Sequence, residues 1–137
     1  MMENVKINLI RMIKMIYTSY FGRLKQLPED IIPISICGKA PEWYTGLEYK
    51  TLAPKYKFFM EYKQNHDINQ YTKCYYDEVL YYLNPYKVLL DLTRLSKGKD
   101  VCLICYEKPE NFCHRHLVAK WLNKNDIPCE EYKFLLI

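Results

Sequence analysis

The chain predicts an α/β domain with a mainly parallel sheet. Three observations carry this. The segments read in the order strand, strand, helices, strand, helix, strand, which is the alternation of a parallel α/β layer. Asp100 to Tyr106 is a continuous apolar run after a charged turn, and such runs suit a strand buried on both faces. Leu117, Val118, Trp121 and Leu122 recur at helical spacing directly after it, as expected of a helix that returns across a sheet. Right-handed crossovers would bring the strand-end loops to one edge of that sheet, where α/β folds place ligands.

The elements follow in order. Met15 to Phe21 is rich in β-branched and aromatic residues and is followed by Gly22, which predicts a first strand. Ile31 to Cys37 predicts a second strand stopped by Gly38, and Pro33 inside it points to an edge or an irregular entry. Gly38 to Pro54, punctuated by Pro41, Trp43, Gly46 and Pro54, reads as one long functional loop. Pro54 suits the first turn of a helix running to about Lys63. Tyr76, Val79, Leu80 and Leu83 lie at i, i+3, i+4 and i+7, one helical face that Asn84-Pro85 should end. Val88, Leu92 and Leu95 predict the next helix, closed near Ser96 and Gly98. Cys113 to Lys124 is the helix after the buried strand, and Glu130 to Ile137 is expected as a last strand. Residues 1–13 read as an N-terminal extension and residues 14–137 as a single domain.

Composition narrows the function classes. The chain has 137 residues, of which 50% are hydrophobic and 26% charged, a globular balance sufficient for one core. The net charge of +4 permits an anionic ligand without demanding nucleic acid, and nucleic acid is not expected as a partner. No stretch reaches the run of about 18 apolar residues that a membrane span needs. Lys6, Arg11 and Lys14 interrupt the apolar N-terminus, which argues against a signal peptide and for a cytoplasmic location. Six cysteines should then stay reduced, as core filler, metal ligands or reactive thiols.

The densest chemistry lies between Cys105 and His116, at the end of the buried strand and the start of the helix. A helix N-terminus offers free N–H groups and a positive dipole end. Arg115 adds a fixed planar cation, and an anion such as phosphate or carboxylate fits the arrangement. The same field lowers the pKa of a thiol at Cys113, or at Cys105 if it points inward. At about 100° per residue, His114 falls in the middle of the apolar helical face and His116 roughly opposite, toward solvent. His114 should therefore point at the sheet, toward Cys105 or Glu107. Glu107 is a candidate base, a partner orienting His114, or a residue that ties the loop. Cys102 and Cys105 face opposite sides of a strand and make no redox pair. Cys105, Cys113, His116 and Cys129 match no common zinc spacing, so no metal is expected, and no cofactor is assigned. Fourteen tyrosines against five phenylalanines suggest flat faces for stacking a ring. Lys55, Lys57, Lys63, Lys73 and Lys97 are spread as a solvated surface.

The string Cys105-x-Glu107-Lys108-Pro109-x-x-Phe112-Cys113-His114-Arg115-His116-Leu117-Val118-Ala119-x-Trp121-Leu122 resembles the signature of the family called domain of unknown function 488, DUF488, in its C-x-E…C-H-R branch. Tyr17-Thr18-Ser19-Tyr20-Phe21, Ile34-Ser35-Ile36 with Pro41, Leu52-Ala53-Pro54, and Tyr71-Thr72 before Tyr76 follow the same branch in order. The resemblance implies a Rossmann-like three-layer α/β sandwich. It also implies a pocket centred on Cys105, Glu107, Cys113, His114 and Arg115, without implying a reaction. Cys37 departs from the pattern as a third thiol beside the second strand.

The leading expectation is a domain that binds a phosphorylated or nucleotide-like small molecule. Arg115, with Ser19, Tyr20, Ser35, Cys37, Trp43 and Tyr71, would line the site. An enzyme version uses Cys113 or Cys105 as nucleophile, His114 as acid or base and Glu107 to orient it. The same residues also fit a non-catalytic phage or mobile-element protein that sequesters a nucleotide, or a structural motif whose function lies at a protein interface.

Overall fold

Five short strands lie side by side in the order β3-β2-β4-β1-β5, every pairing parallel. The computed structural model describes residues 13–134. The strands are β1 (Ile16–Tyr20), β2 (Ile31–Ser35), β3 (Leu47–Glu48), β4 (Asp100–Cys105) and β5 (Cys129–Glu131). The helices are α1 (Tyr56–Asn65), α2 (Ile68–Glu78), α3 (Pro85–Ser96) and α4 (His114–Lys124). The Rossmann-like α/β class expected from the sequence is thus what the chain adopts, with a sheet that is wholly parallel among the described residues. No helix among them is long and apolar enough to cross a membrane.

β4 is central because it is the most apolar strand, and Val101 to Cys105 are all buried. Its neighbours are level with it: Tyr20 pairs with Cys105, and Ser19 and Ser35 both pair with Ile104. The carboxyl ends of β1, β2 and β4 therefore meet at one edge. The connections β3 to β4 and β4 to β5 step the same way across the sheet, so right-handed crossovers put their helices on one face. The Tyr75 and His114 rings, 5.6 Å apart, join α2 to α4. The Tyr86 hydroxyl, which donates to the Asn125 carbonyl, joins α3 to the end of α4. The second face carries a thinner covering. Tyr17 packs on Tyr132, Tyr132 on Phe134, and Arg23 of the 3-10 segment Phe21–Gln26 lies over Phe134. Among the described residues this layer of the expected sandwich is built of a 3-10 segment and loops.

Several element boundaries differ from the sequence expectation. β2 is interior by order, but the two-residue β3 reaches only Ile34 and Ser35, so Pro33 has no β3 residue to pair with, and its carbonyl accepts from the Tyr44 hydroxyl at 3.4 Å instead. The stretch 38–54, expected as one loop, contains β3 and a 3-10 turn at Lys50–Leu52. The first helix begins at Tyr56 rather than at Pro54 and runs to Asn65. The helix expected through Leu83 ends at Glu78. Its apolar residues Val79 and Leu80 are still buried, in or beside the 3-10 turn Leu80–Tyr82. Asn84 and Pro85 begin the next helix: the Asn84 side chain accepts from the Tyr86 N–H, and Pro85 occupies the first turn. α3 closes on Lys97 and Gly98, both with positive φ, a C-cap that glycine favours. The last strand covers only Cys129–Glu131; residues 135–137 lie outside the described residues, as do residues 1–12 of the expected extension. Ile13 itself packs into the core, and the Lys14 and Met15 N–H groups donate to Asp100.

The tyrosines divide between core and surface. Tyr71 and Tyr75 are buried on α2, one turn apart, whereas Tyr56, Tyr81 and Tyr82 stand in solvent. The Tyr75 hydroxyl donates to the Leu52 carbonyl at 2.6 Å and ties α2 to the 3-10 turn. Tyr75→Phe should leave that carbonyl without its partner and destabilise the fold by about 1–3 kcal/mol. A shift in the urea midpoint at unchanged slope would measure it.

Candidate active site

Cys105 ends β4, and the exposed segment 106–111 loops out from it. The chain returns at Cys113, whose extended backbone (φ −153°, ψ 145°) makes it the N-cap of α4 with no side-chain cap bond. His114 is the first helical residue. Its ring points at the sheet, as the helical geometry requires; the Cys105 Sγ lies 3.7 Å from its Nδ1 and 3.6 Å from its Nε2, and the Cys113 Sγ lies 4.0 Å from its Nδ1. The Nε2 sits 2.8 Å from the Ile36 carbonyl. An acceptor there fixes an N–H on Nε2 and leaves Nδ1 as the nitrogen on the Cys113 side. Cys37 lies beside them, with its thiol directed at the Ile104 carbonyl. Cys37, Cys105, Cys113 and His114 are all buried, and all six cysteines are free thiols.

The charges in this cluster are sorted by their surroundings. Burial pushes Cys105 well above the ordinary thiol range, so it keeps its proton. The Cys105 S–H directed at the Cys113 sulfur holds Cys113 well below that range, and His114 and Arg115 add to the effect against burial. Cys105 also lowers Cys37. Burial pulls the His114 imidazole down, but the adjoining Cys113 thiolate and the Ile36 carbonyl outweigh it, and the ring is held above its usual value. Tyr71 is raised, by burial first and then by Cys113. That phenol stays neutral beside the thiols.

Arg115 is fully buried and already engaged. Its Nε and Nη2 donate to Glu131 at 3.0 and 2.9 Å, and its Nη1 donates to the Glu107 carbonyl at 2.6 Å. The Thr18 hydroxyl donates to the same Glu131 carboxylate at 2.6 Å. Three of the five guanidinium donors are thus committed to holding β5, β1 and the 106–112 loop together. Glu131 was not expected from the sequence; a fully buried arginine is the signal that a carboxylate must meet it. Glu107 acts through its backbone. Its side chain is exposed and forms none of the hydrogen bonds among the described residues, so orientation of His114 falls to Ile36 instead.

The remaining expected residues spread around this edge. The Ser35 hydroxyl accepts from the Cys37 N–H at 3.3 Å. The Ser19 hydroxyl is buried without a partner. The Tyr20 ring centroid is 5.9 Å from the Arg115 guanidinium carbon. Tyr71 packs against Phe58, Tyr62 and Phe112. Trp43 is 60% exposed and stands at the rim against Phe21 and Tyr44, and Tyr106 also packs on Phe21. His116 does not face solvent as expected. It is half-buried, with its Nε2 covered and unpartnered, because the Asn111 backbone lies against it. Cys129 sits on β5, outside the Cys105–Cys113–His114 group. Burial pushes its thiol up to about 12. A cavity of about 160 Å³ lies at the opposite, amino-terminal edge of the sheet, between Ile13, Met15, Tyr86, Leu89, Ile127 and Pro128.

No curated protein and no solved structure matches the chain. A family model described as "Active DUF488-N3 subclade" matches residues 20–126. That span runs from the end of β1 past the last turn of α4 and contains the whole C-x-E…C-H-R string, so the chain belongs to the DUF488 family.

Proposed function

We propose that the domain is a thiol-dependent enzyme acting on a phosphorylated or nucleotide-like small molecule, with Cys113 as its nucleophile. One observation carries the reading: the Cys113 sulfur sits at the N-terminus of α4 with a buried imidazole 4.0 Å away and a protonated thiol beside it. A helix N-terminus and an imidazolium both favour a thiolate, the reactive form of cysteine. In the step proposed, the Cys113 sulfur bonds to the electrophilic atom of the substrate as the bond to the leaving group breaks. His114, kept in place by Ile36, gives its Nδ1 proton to that leaving group. Water then attacks the adduct, returning its proton to His114 and the thiolate to Cys113. The free N–H groups of the first turn of α4 favour an anionic substrate. The exposed rings of Trp43 and Tyr106 at the same edge favour one that carries a planar group. Arg115 serves here as the residue that positions the loop, since Glu131 and Glu107 occupy it. A cytoplasmic setting keeps the cysteines as thiols.

The test is protection. A mixture of nucleoside monophosphates should slow alkylation of Cys113 by iodoacetamide, and at least one component should be converted to a product seen by chromatography and lost in Cys113→Ser. Inorganic phosphate and free nucleosides separate the anion from the ring as the recognised part. Protection with every component recovered unchanged would overturn the enzyme reading in favour of sequestration. No protection by any of them would overturn the substrate class.

A further inference from the structure

We propose that Cys105, Cys113 and His114 form a binding site for a soft divalent cation of the zinc type. The two sulfurs and a ring nitrogen of His114 all lie within 4.8 Å of one another and are buried. In a tetrahedral site with Zn–S of about 2.3 Å and Zn–N of about 2.0 Å, ligand atoms stand about 3.5–3.8 Å apart. The Nδ1 of His114 is 3.7 Å from the Cys105 sulfur, which is also 3.6 Å from Nε2, and 4.0 Å from the Cys113 sulfur, and the two sulfurs lie within 4.8 Å of each other, so closing on a cation requires shifts of no more than about 1 Å and a small turn of the ring. One ring nitrogen of His114 is already committed elsewhere. Its Nε2 is spent on the Ile36 carbonyl at 2.8 Å, which leaves the Nδ1 lone pair for a metal. A backbone carbonyl on the far nitrogen is the usual way a ligating histidine is oriented.

The donor set selects the cation. Two thiolates and an imidazole are soft ligands that suit zinc and disfavour magnesium or calcium. Two thiolates also neutralise a divalent charge, which suits a buried site. Three protein ligands leave a fourth position for water, a small molecule or the neighbouring Cys37 thiol. This site differs from the Cys105–Cys113–His116–Cys129 quartet, whose spacing matches no common zinc motif. Cys113 and His114 are consecutive, and only the break from an extended N-cap into the first helical turn brings both donors to one point.

The inference does not rest on the enzymatic reading. A bound cation takes Cys113 as a ligand, so metal loading and thiol reactivity exclude each other. The experiment adds Co²⁺ to the full chain after treatment with a chelator. The expected result is thiolate-to-cobalt charge-transfer absorption with tetrahedral d–d bands, saturating at about one ion per chain. Cys105→Ala should weaken binding by at least about 10-fold, whereas Cys129→Ala should not change it. Since Cys105→Ala removes a core side chain, the unmodified chain supplies a second readout. Saturating Zn²⁺ should suppress iodoacetamide labelling of Cys113 while Cys74 labels as before. Absence of the thiolate bands, bands that persist in Cys105→Ala, or a Cys113 that labels in the metal-free chain and labels equally with Zn²⁺ would each overturn the site. If cobalt gives no bands while Cys113 still labels ahead of Cys74, the metal site fails and the thiol enzyme stands. If the bands appear and metal-free Cys113 does not label, the metal site stands and the nucleophile fails.

Discussion

Glu131→Ala should destabilise the fold by about 3 kcal/mol, among the larger effects open to a single residue here. Arg115 has no exposed surface, and its guanidinium stays charged at any working pH. Glu131 meets it through two parallel hydrogen bonds, 3.0 and 2.9 Å. Without the carboxylate the cation remains buried with the Glu107 carbonyl as its one hydrogen-bonded partner. Breaking a fully buried pair costs about 3–5 kcal/mol. The Glu131 side chain is 25% exposed, so water reaches the gap and the lower end of that range applies. Thr18 also loses its acceptor. Glu131→Gln retains a hydrogen-bonding group and should cost less than the alanine variant. Urea unfolding of the three proteins measures the order. A Glu131→Ala midpoint equal to that of the unaltered chain would show that the pair does not lock the loop.

That pair also shows where the sequence stopped being informative. The strands Ile16–Tyr20, Ile31–Ser35 and Asp100–Cys105 and the helix His114–Lys124 are written in local patterns, and so is the direction of His114, which follows from helical geometry alone. The partners are not local. Glu131 lies 16 residues from Arg115, next to the equally acidic Glu130, and nothing nearby distinguishes them. Only the parallel pairing of β1 with β5, which sets Glu131 against Thr18, turns it to the guanidinium. The Ile36 carbonyl that orients His114 is backbone and leaves no mark in a side-chain pattern. The tyrosine-rich helix Ile68–Glu78 was obscured for a different reason. Its buried face is made of Tyr71 and Tyr75 rather than aliphatic residues, and the apolar spacing runs on through Val79 and Leu80 after the helix has ended. β3 is two residues long and exists because β2 is there to pair with it.

The largest chemical effect is expected at Cys113. An ordinary thiol with a pKa of about 8.5 is only a few per cent thiolate at pH 7. Cys113 is held well below that value, first by the Cys105 hydrogen bond and then by His114 and Arg115 against burial, which raises its share of thiolate. A lower pKa also makes a thiolate intrinsically weaker, by about 3-fold per unit, so the net advantage over an ordinary thiol is about 2- to 4-fold. Cys74 is the internal reference. It is half-buried on the outer part of α2, and burial and Glu78 raise its pKa. Accessibility alone would make Cys74 the faster residue, so the two explanations predict opposite orders.

The decisive measurement is peptide mapping of the native, chelator-treated chain after limiting exposure to iodoacetamide at neutral pH. The thiol–imidazole account predicts that Cys113 is carboxamidomethylated first, at least about 2-fold ahead of the more accessible Cys74, while Cys102, Cys105 and Cys129 stay unmodified. Labelling of Cys74 first, with Cys113 inert until the protein unfolds, would contradict it and leave Cys105, Cys113 and His114 without a nucleophile among them.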